Sequence, residues 1–388
     1  MRVKTFTLLV LAVLMTTSLL YGQTARVQII HNSADAAAQQ VDVYLDGSLL
    51  LDDFAFRSAT PFIDAPADAA VDVGIAPQHS TSVDDTIYNA SVTFTSGETY
   101  VVVANGIISG SGYSPAVPFD LYVYAMGQEE AQVADETDVL VFHGSTDAPT
   151  VDVAEPELAL GLLDDLAYGA FSPGYLNLAT DDYSLQVQNA EGTAAVAQFA
   201  APLASLGLED SALVVVASGF LDPTANSDGP AFGLFAALPE GGALVELPAE
   251  DLSTSYVQVI HNAADLGAQT VDVWQNDQLL IDDFAFRTAS PFVELTAGIE
   301  FDIVVQPPGS TDTTGALFRK AFTLAGNSDY ILVANGIVSG SGYSPSQPFD
   351  IYASDIGQMM ASATGETDVL VFHGSTDAPT VDVAEPEL

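Results

Sequence analysis

The sequence predicts an all-β protein built from tandem antiparallel β-sandwiches, and three observations lead to this fold class. Short runs rich in Val, Thr, Phe and Tyr are bounded by Gly, Pro, Asn and Asp, and no long stretch has helical periodicity. Residues 136–158 recur letter for letter as residues 366–388, and the same spacing relates His31 to His261. About seven such runs fill each segment of roughly 110 residues, which suits a two-sheet sandwich.

The first unit is predicted to contain seven strands. In the strand at 41–45 the apolar residues alternate with Asp42 and Tyr44, so that one face is apolar. Asp46-Gly47 then provides the positive φ angles of a tight hairpin. The predicted strands lie near residues 26–31, 41–45, 48–54, 70–75, 87–94, 100–104 and 119–124.

The exact repeat and a weaker internal likeness divide the rest of the chain. The second unit runs through the same plan with different lengths, and the third returns to the plan of the first. Short links between units would hold neighbouring sandwiches in a stiff or semi-stiff row. The predicted division is a signal peptide at 1–22, repeat 1 at 25–136, a diverged repeat 2 at 137–252, repeat 3 at 254–365, and a truncated start of repeat 4 at 366–388.

The N-terminus predicts export. Arg2 and Lys4 precede an apolar run at 6–14 that is shorter than the roughly 20 residues of a membrane-spanning helix. We expect cleavage after Gly22 and a secreted or cell-surface location. The sequence has no cysteine, so stability after export must come from burial and hydrogen bonds.

The composition is strongly acidic, with seven basic and 52 acidic residues and a formal net charge of −45. Loss of the two basic residues in the signal would leave −47, which excludes nucleic acid as a partner. Dense carboxylates repel one another in dilute buffer and are screened within about 3 Å at 1 M salt. We favour a halophilic surface; calcium-stabilised repeats and ordinary acidic solubility are the alternatives.

One motif recurs at the start of every unit: a strand ending in His, a polar turn containing Asp, and then Val-Asp-Val. The stretch VLVFHGSTDAPTVDVAEPEL is a clear instance. It resembles domain-of-unknown-function family 4397, a bacterial secreted and cell-surface domain. The resemblance implies β-sandwich modules of immunoglobulin-like character and brings no agreed activity or catalytic residues. The motif residues are His31, Asp35 and Asp42; His143, Asp147 and Asp152; and His261, Asp265 and Asp272.

Three interpretations of this motif differ in their chemistry. His beside Ser and Asp suggests a hydrolase, but Ala263 replaces the serine found at Ser33 and Ser145. One His and two Asp are competent metal ligands, yet no established metal-binding spacing accompanies them. We favour a structural role, in which His bonds the turn backbone and the first Asp closes the turn. No catalytic, cofactor-binding or metal-binding residue is therefore predicted.

Two further features are candidates for ligand contact. The glycine-rich loops at 105–115 and 335–345 contain Tyr113 and Tyr343, which either present flat rings to a glycan or pack back on the sandwich, the interpretation we favour. Tyr44 and Trp274 occupy equivalent strand positions, and if they face outward they are weaker candidates for sugar stacking.

The leading functional hypothesis is an exported, non-enzymatic tandem-repeat protein that serves as a cell-surface spacer, adhesin or matrix-binding module. Its partner would be an extracellular glycan or a surface protein. The alternative is a set of accessory domains, carbohydrate-binding or otherwise, of a larger secreted enzyme. Segment 366–388 by itself exposes apolar faces, so we expect it to be disordered, to aggregate, or to pair with a sheet edge of another chain.

Overall fold

The computed structural model describes residues 23–384, so the predicted signal peptide at 1–22 lies outside the described residues. Between residues 23 and 384 the regular structure consists of β-strands and short 3₁₀ turns, without any α-helix. In that same range no helix has the length and apolarity to cross a membrane. The predicted all-β fold class is confirmed.

Unit 1 is a sandwich of two sheets. One sheet has the order β4-β1-β8-β9, with β5 also paired to β1, and the other has the order β3-β2-β6-β7. Its strands are β1 (Thr24–His31), β2 (Gln40–Leu45), β3 (Ser48–Ala55), β4 (Ser58–Ala59), β5 (Ile63–Pro66), β6 (Ala70–Pro77), β7 (Tyr88–Thr93), β8 (Thr99–Asn105) and β9 (Asp120–Ala125).

Unit 2 repeats this plan with five strands in each sheet. Its sheets have the orders β13-β10-β16-β17-β19 and β12-β11-β14-β15-β20, while β18 leaves the unit and pairs with β4 of unit 1. Its strands are β10 (Glu136–His143), β11 (Val151–Glu155), β12 (Leu160–Leu166), β13 (Leu176–Ala179), β14 (Asp182–Asn189), β15 (Ala195–Pro202), β16 (Ala212–Ser218), β17 (Gly233–Ala237), β18 (Gly242–Ala243), β19 (Val245–Leu247) and β20 (Ala249–Glu250).

Unit 3 has the topology of unit 1. Its sheets have the orders β24-β21-β28-β29, with β25 also paired to β21, and β23-β22-β26-β27. Its strands are β21 (Thr254–His261), β22 (Thr270–Gln275), β23 (Gln278–Ala285), β24 (Thr288–Ala289), β25 (Val293–Thr296), β26 (Glu300–Gln306), β27 (Phe318–Thr323), β28 (Asp329–Asn335) and β29 (Asp350–Ser354).

The core of each unit lies between its two sheets. In unit 1, Ala104 of β8 packs in one cluster with Val43 and Ile75 of the second sheet. Val102 of β8 packs in a neighbouring cluster that includes Val27 and Phe94. All seven strands predicted for unit 1 are present with ends within two residues, while the short strands β4 and β5 were not predicted. The first strand pairs in parallel with the eighth, so the sandwich is not purely antiparallel.

Neighbouring units are in direct contact. Units 1 and 2 share a buried apolar cluster between their first sheets, which includes Ile30 and Val103 from unit 1 and Phe142 and Val216 from unit 2. Units 2 and 3 meet through polar contacts instead, such as the Gln188 side-chain amide donating to a backbone carbonyl of unit 3.

Segment 366–384 forms no strand, although its sequence is identical to that of residues 136–154, which contain β10 and nearly all of β11. Phe372 is 41% exposed, whereas its counterpart Phe142 is fully buried. Segment 366–384 also leaves Val369 and Val371 largely exposed. The difference arises because β10 is held by β13 and β16, and these strands have no equivalent beside segment 366–384 in the described chain.

Candidate functional site

The histidine of the motif ends the first strand of each unit and turns inward. In unit 1 the Nε2 of His31 lies 2.7 Å from the Ala38 carbonyl oxygen, and Nδ1 accepts a 3.4 Å bond from the Ser33 backbone N–H. A ring that donates through Nε2 and accepts through Nδ1 is the neutral tautomer. His31 therefore spans the turn between β1 and β2 as an uncharged group.

The other units repeat this contact. His143 lies 2.9 Å from the Pro149 carbonyl, and His261 lies 2.7 Å from the Ala268 carbonyl. Burial lowers the pKa of His31 to about 4, against the bond to Ala38 that acts to raise it. Burial lowers the pKa values of His143 and His261 in the same direction.

The first aspartate of the motif joins two loops. Asp35 accepts the backbone N–H of Ala37 at 2.9 Å and so caps the short turn that follows it. Its other oxygen accepts the backbone N–H groups of Ile108 at 2.8 Å and Ser109 at 2.6 Å, which belong to the glycine-rich loop after β8. The carboxylate is fully buried and thus connects the two loops at one end of the sandwich.

The equivalent aspartates make the same kind of contact. Asp147 accepts from the N–H groups of Leu221 and Asp222, each at 2.9 Å, and Asp265 accepts from that of Ser339 at 2.6 Å. Burial alone would raise the pKa of Asp265, but hydrogen bonds led by those from Ser339 outweigh it and lower the pKa to about 2. The Asp265 carboxylate is therefore ionised over the whole physiological range.

Tyr113 and Tyr343 belong to the same network. The Tyr113 hydroxyl donates to Asp35 at 3.1 Å and accepts the Ala36 N–H at 2.8 Å; the Tyr343 hydroxyl donates to Asp265 at 3.0 Å. Both rings are half-buried. Each tyrosine is thus anchored by its hydroxyl, and part of its ring remains open to solvent.

The second aspartate of the motif holds an irregularity in the neighbouring strand. The register of β2 against β3 shifts between Val41 and Val43, and Asp53 adopts a left-handed φ of 51° there. The Asp53 backbone N–H, turned out of the ladder, donates to Asp42 at 2.8 Å. Asp165 and Asp283 have the same left-handed geometry and donate to Asp152 and Asp272.

Tyr44 and Trp274 are not outward-facing, so the expectation of sugar stacking at these positions is wrong. Tyr44 is 5% exposed and Trp274 is 7% exposed. The loop after β6 covers the Tyr44 ring, whose hydroxyl lies 2.8 Å from the Ser80 hydroxyl. The loop after β26 covers the Trp274 ring, whose Nε1 donates to Ser310 at 2.9 Å. No ring face remains available to a ligand at either position.

Acidic side chains gather beside the second aspartate, which sequence reasoning missed. Carboxylate oxygens of Asp42, Asp52 and Asp53 lie within 4.8 Å of one another, and those of Asp272, Asp282 and Asp283 do the same. Oxygen ligands of this kind suit Ca²⁺. Much of the Asp42 carboxylate is already engaged, because Ser80 donates both its N–H and its hydroxyl to it. The pair Asp-Asp in LLLDDFAFR and LLIDDFAFR was the available signal.

The serine of the motif bonds a backbone carbonyl. The Ser33 hydroxyl donates to Gly106 at 2.6 Å, and the Ser145 hydroxyl donates to Gly219 at 2.7 Å. In unit 3, Ala263 fills this position and is fully buried. The hydroxyl therefore acts as one more link between the first turn and the glycine-rich loop.

These contacts define a class: a tandem array of β-sandwiches in which a repeated His–Asp motif ties loops and strand irregularities together. The chain belongs to the family described as "Domain of unknown function (DUF4397)", whose model matches residues 25–154 and 255–384. The suspected family is thereby confirmed. No curated protein matches the sequence. Among solved structures, the Bacillus anthracis TIE protein is aligned at 9% identity and a TM-score of 0.16, over 80% of this chain and 50% of that one. This chain thus spans half the length of that protein.

Proposed function

We propose that this protein is an exported, non-enzymatic tandem-repeat protein that acts as a cell-surface spacer, adhesin or matrix-binding module. The observation that supports it best is the direct packing of each sandwich on the next. A chain of contacting units repeats the same surface loops at defined separations, which gives avidity without any new contact.

The junction between units 2 and 3 illustrates this packing. The side-chain amides of Gln186 and Gln188 are buried and donate to the Ala297 and Gly298 carbonyls at 3.2 and 2.8 Å. The Gly326 N–H donates to the Pro156 carbonyl of unit 2 at 2.9 Å. Such contacts restrain the angle between units, which is a property that a spacer needs.

The motif's own contacts also support a non-enzymatic role. The polar atoms of His31, Asp35 and Asp42 are engaged by backbone groups and neighbouring hydroxyls. A general base needs a pKa near the working pH, whereas burial places the pKa of His31 at about 4. The carboxylates and imidazole are thus used to fix the conformation of the loops.

Location and binding are tested together in the native host. An epitope inserted in the exposed hairpin turn at 46–48 is detected with antibody on intact cells, and the matched control is a chain that starts at residue 23. We expect labelling without permeabilisation for the full chain only, and weaker retention of deletion cells on extracellular matrix. Labelling only after permeabilisation would refute the proposal.

A second candidate function is glycan binding by accessory domains of a larger secreted enzyme, and the half-open rings of Tyr113 and Tyr343 favour it. Tyr343→Ala removes the ring, while Tyr343→Phe keeps the ring and removes only the bonds of the hydroxyl, to Asp265 and from the Leu266 N–H. Glycan-array binding that survives the Phe change and disappears with Ala would support this candidate. Equal binding by both variants would exclude the ring as a contact.

A further inference from the structure

The first sheet of unit 1 has an outer face, formed by Ile30 of β1, Val101 and Val103 of β8 and Tyr122 of β9, that points away from the core of its own unit. Unit 2 covers this face with Leu140, Phe142, Val214, Val216 and Phe235. Ile30, Val101 and Val103 are completely buried as a result. Burial on both sides explains why β8 contains an unbroken run of valines instead of an alternating pattern.

Polar groups around the outer face complete the contact with unit 2. The buried Gln28 amide donates to the Leu238 carbonyl at 2.7 Å. The Arg57 guanidinium donates to the Ser218 hydroxyl at 3.0 Å and to the Ala231 carbonyl at 2.9 Å, and it lies 3.7 Å from the centre of the Phe235 ring. Since β18 also pairs with β4, the interface has apolar, polar and strand-pairing parts.

Unit 3 carries the same outer face. The sequence repeat places Gln258, Ile260, Arg287, Val333 and Tyr352 at the positions of Gln28, Ile30, Arg57, Val103 and Tyr122. The run Ile331-Leu332-Val333 in β28 is unbroken, as in β8. Arg287 is exposed and contacts the Phe286 ring of its own unit, and Tyr352 is 45% exposed.

Segment 366–374 lies across part of this face in the way that β10 lies across unit 1. The Phe372 and Tyr352 rings are 5.5 Å apart, compared with 5.2 Å between Phe142 and Tyr122. Gly374 closely approaches the Asn262 side chain, just as Gly144 approaches Asn32. Between the segment and the sheet lies a groove of about 1040 Å³, lined by residues that include Ile260, Val333 and Met360.

We propose that the outer face of unit 3 docks a further sandwich of the unit 2 kind, joined through segment 366–388. The groove is the space that the counterparts of Val214, Val216, Phe235 and Leu244 would fill, because those residues complete the cover of unit 1. The matched family region supports this pairing, since 25–154 contains unit 1 together with β10 and nearly all of β11. The unit of assembly is therefore a pair of sandwiches packed through their first sheets.

The test compares two proteins: the chain of residues 23–388, and the same chain extended after Leu388 by a second copy of residues 159–252. The extension completes a second unit 2 sequence. Binding of the apolar dye ANS and hydrogen exchange at residues 350–360 report the cover of the outer face. We expect the extension to abolish most ANS fluorescence and to slow exchange in that region, with both proteins monomeric in sedimentation.

Arg287→Ala is the discriminating variant, because Arg287 is exposed and its loss leaves the core of unit 3 intact. In the chain that ends at Leu388 it should be silent in thermal melting. In the extended chain it should lower the melting temperature and restore part of the ANS signal, as Arg57→Ala should do at the junction of units 1 and 2. Val333→Asp, on the outer face of β28, should restore the signal fully.

Two outcomes would overturn the proposal. One is an extended chain that keeps the ANS signal of the shorter chain and does not respond to Arg287→Ala. The other is a shorter chain that dimerises through this face, with dimerisation lost on Val333→Asp and unaffected by the extension, since a second copy would then be the occupant.

Discussion

Asp35→Ala is the most informative single substitution at the motif, because one buried carboxylate holds two loops. It would remove the acceptor of the Ala37, Ile108 and Ser109 backbone N–H groups and of the Ser109 and Tyr113 hydroxyls. Alanine offers no replacement acceptor. Water can reach the Ala37 N–H most easily, since Ala37 is exposed in the short turn that Asp35 caps, while Ile108 and Ser109 are half-buried.

The magnitude follows from these donors. A buried donor left without a partner costs about 1–3 kcal/mol, and half-buried groups belong at the low end of that range. Loss of an aspartate N-cap costs about 1 kcal/mol. Two loop donors and one cap together give about 3–4 kcal/mol. Asp35→Asn keeps one acceptor oxygen, so about half of this loss is expected.

The assay is urea unfolding followed by hydrogen exchange and mass spectrometry, which resolves unit 1 from unit 3 in one protein. Unit 3 is the internal control, and Asp265→Ala should reverse the pattern between the two units. For a domain of this size a loss of about 1 kcal/mol lowers the melting temperature by about 4–8 °C. A loss under about 1 kcal/mol in unit 1, or an equal loss in both units, would refute the argument.

Three further predictions follow from other contacts. The pKa of His31 is lowered to about 4, below the unfolded value near 6.5, so the unfolded state binds the extra proton. The free energy of unfolding should therefore fall by about 3 kcal/mol for this group as the pH is lowered from 6.5 towards 4. Urea midpoints at pH 4.5 and 7 measure this loss, and His31→Gln should reduce the dependence of stability on pH. Tyr44→Phe should cost only about 1 kcal/mol, that of its bond to Ser80, and leave any glycan binding unchanged; loss of glycan binding would restore the ring as a candidate ligand contact. Melting temperatures measured against NaCl and CaCl₂ separate the explanations of the acidic surface, and we expect molar NaCl to raise the melting temperature. A rise at millimolar calcium that Asp52→Asn weakens would instead show that the carboxylates bind metal.

The strands could be predicted from sequence because alternation and turn residues are local signals. Asp42 and Val43 occupy opposite faces of β2, as their spacing of one residue requires. Strand partners are not local, so the parallel pairing of β1 with β8 could not be read from the sequence. The clearest case is the stretch ETDVLVFH, which is a strand at 136–143 and not at 366–373.

The motif and its contacts within the first turn were predicted from sequence, since His31 bonds the Ala38 carbonyl and Asp35 accepts the Ala37 N–H, but the more distant partners were not. Asp42 meets Asp53 through a strand irregularity, and Asp35 meets Ser109, which lies far from it along the chain and close to it only in the folded unit. Tyr44 was a candidate for sugar stacking only if it faced outward, and a separate loop containing Ser80 covers its ring. The unbroken run of valines in β8 is a sequence signal of burial on both faces, at the interface between units 1 and 2.

The parallel pairing of β1 with β8 also sets an order of events during folding. His31 of β1 pairs with Ala104 of β8, so β1 has no parallel partner strand until synthesis has passed residue 104. Such distant pairings slow folding, since the entropy of closing the loop is lost before the contacts form. A nascent unit must therefore remain open while most of its length emerges, and a ribosome stalled near residue 95 should hold a protease-sensitive chain.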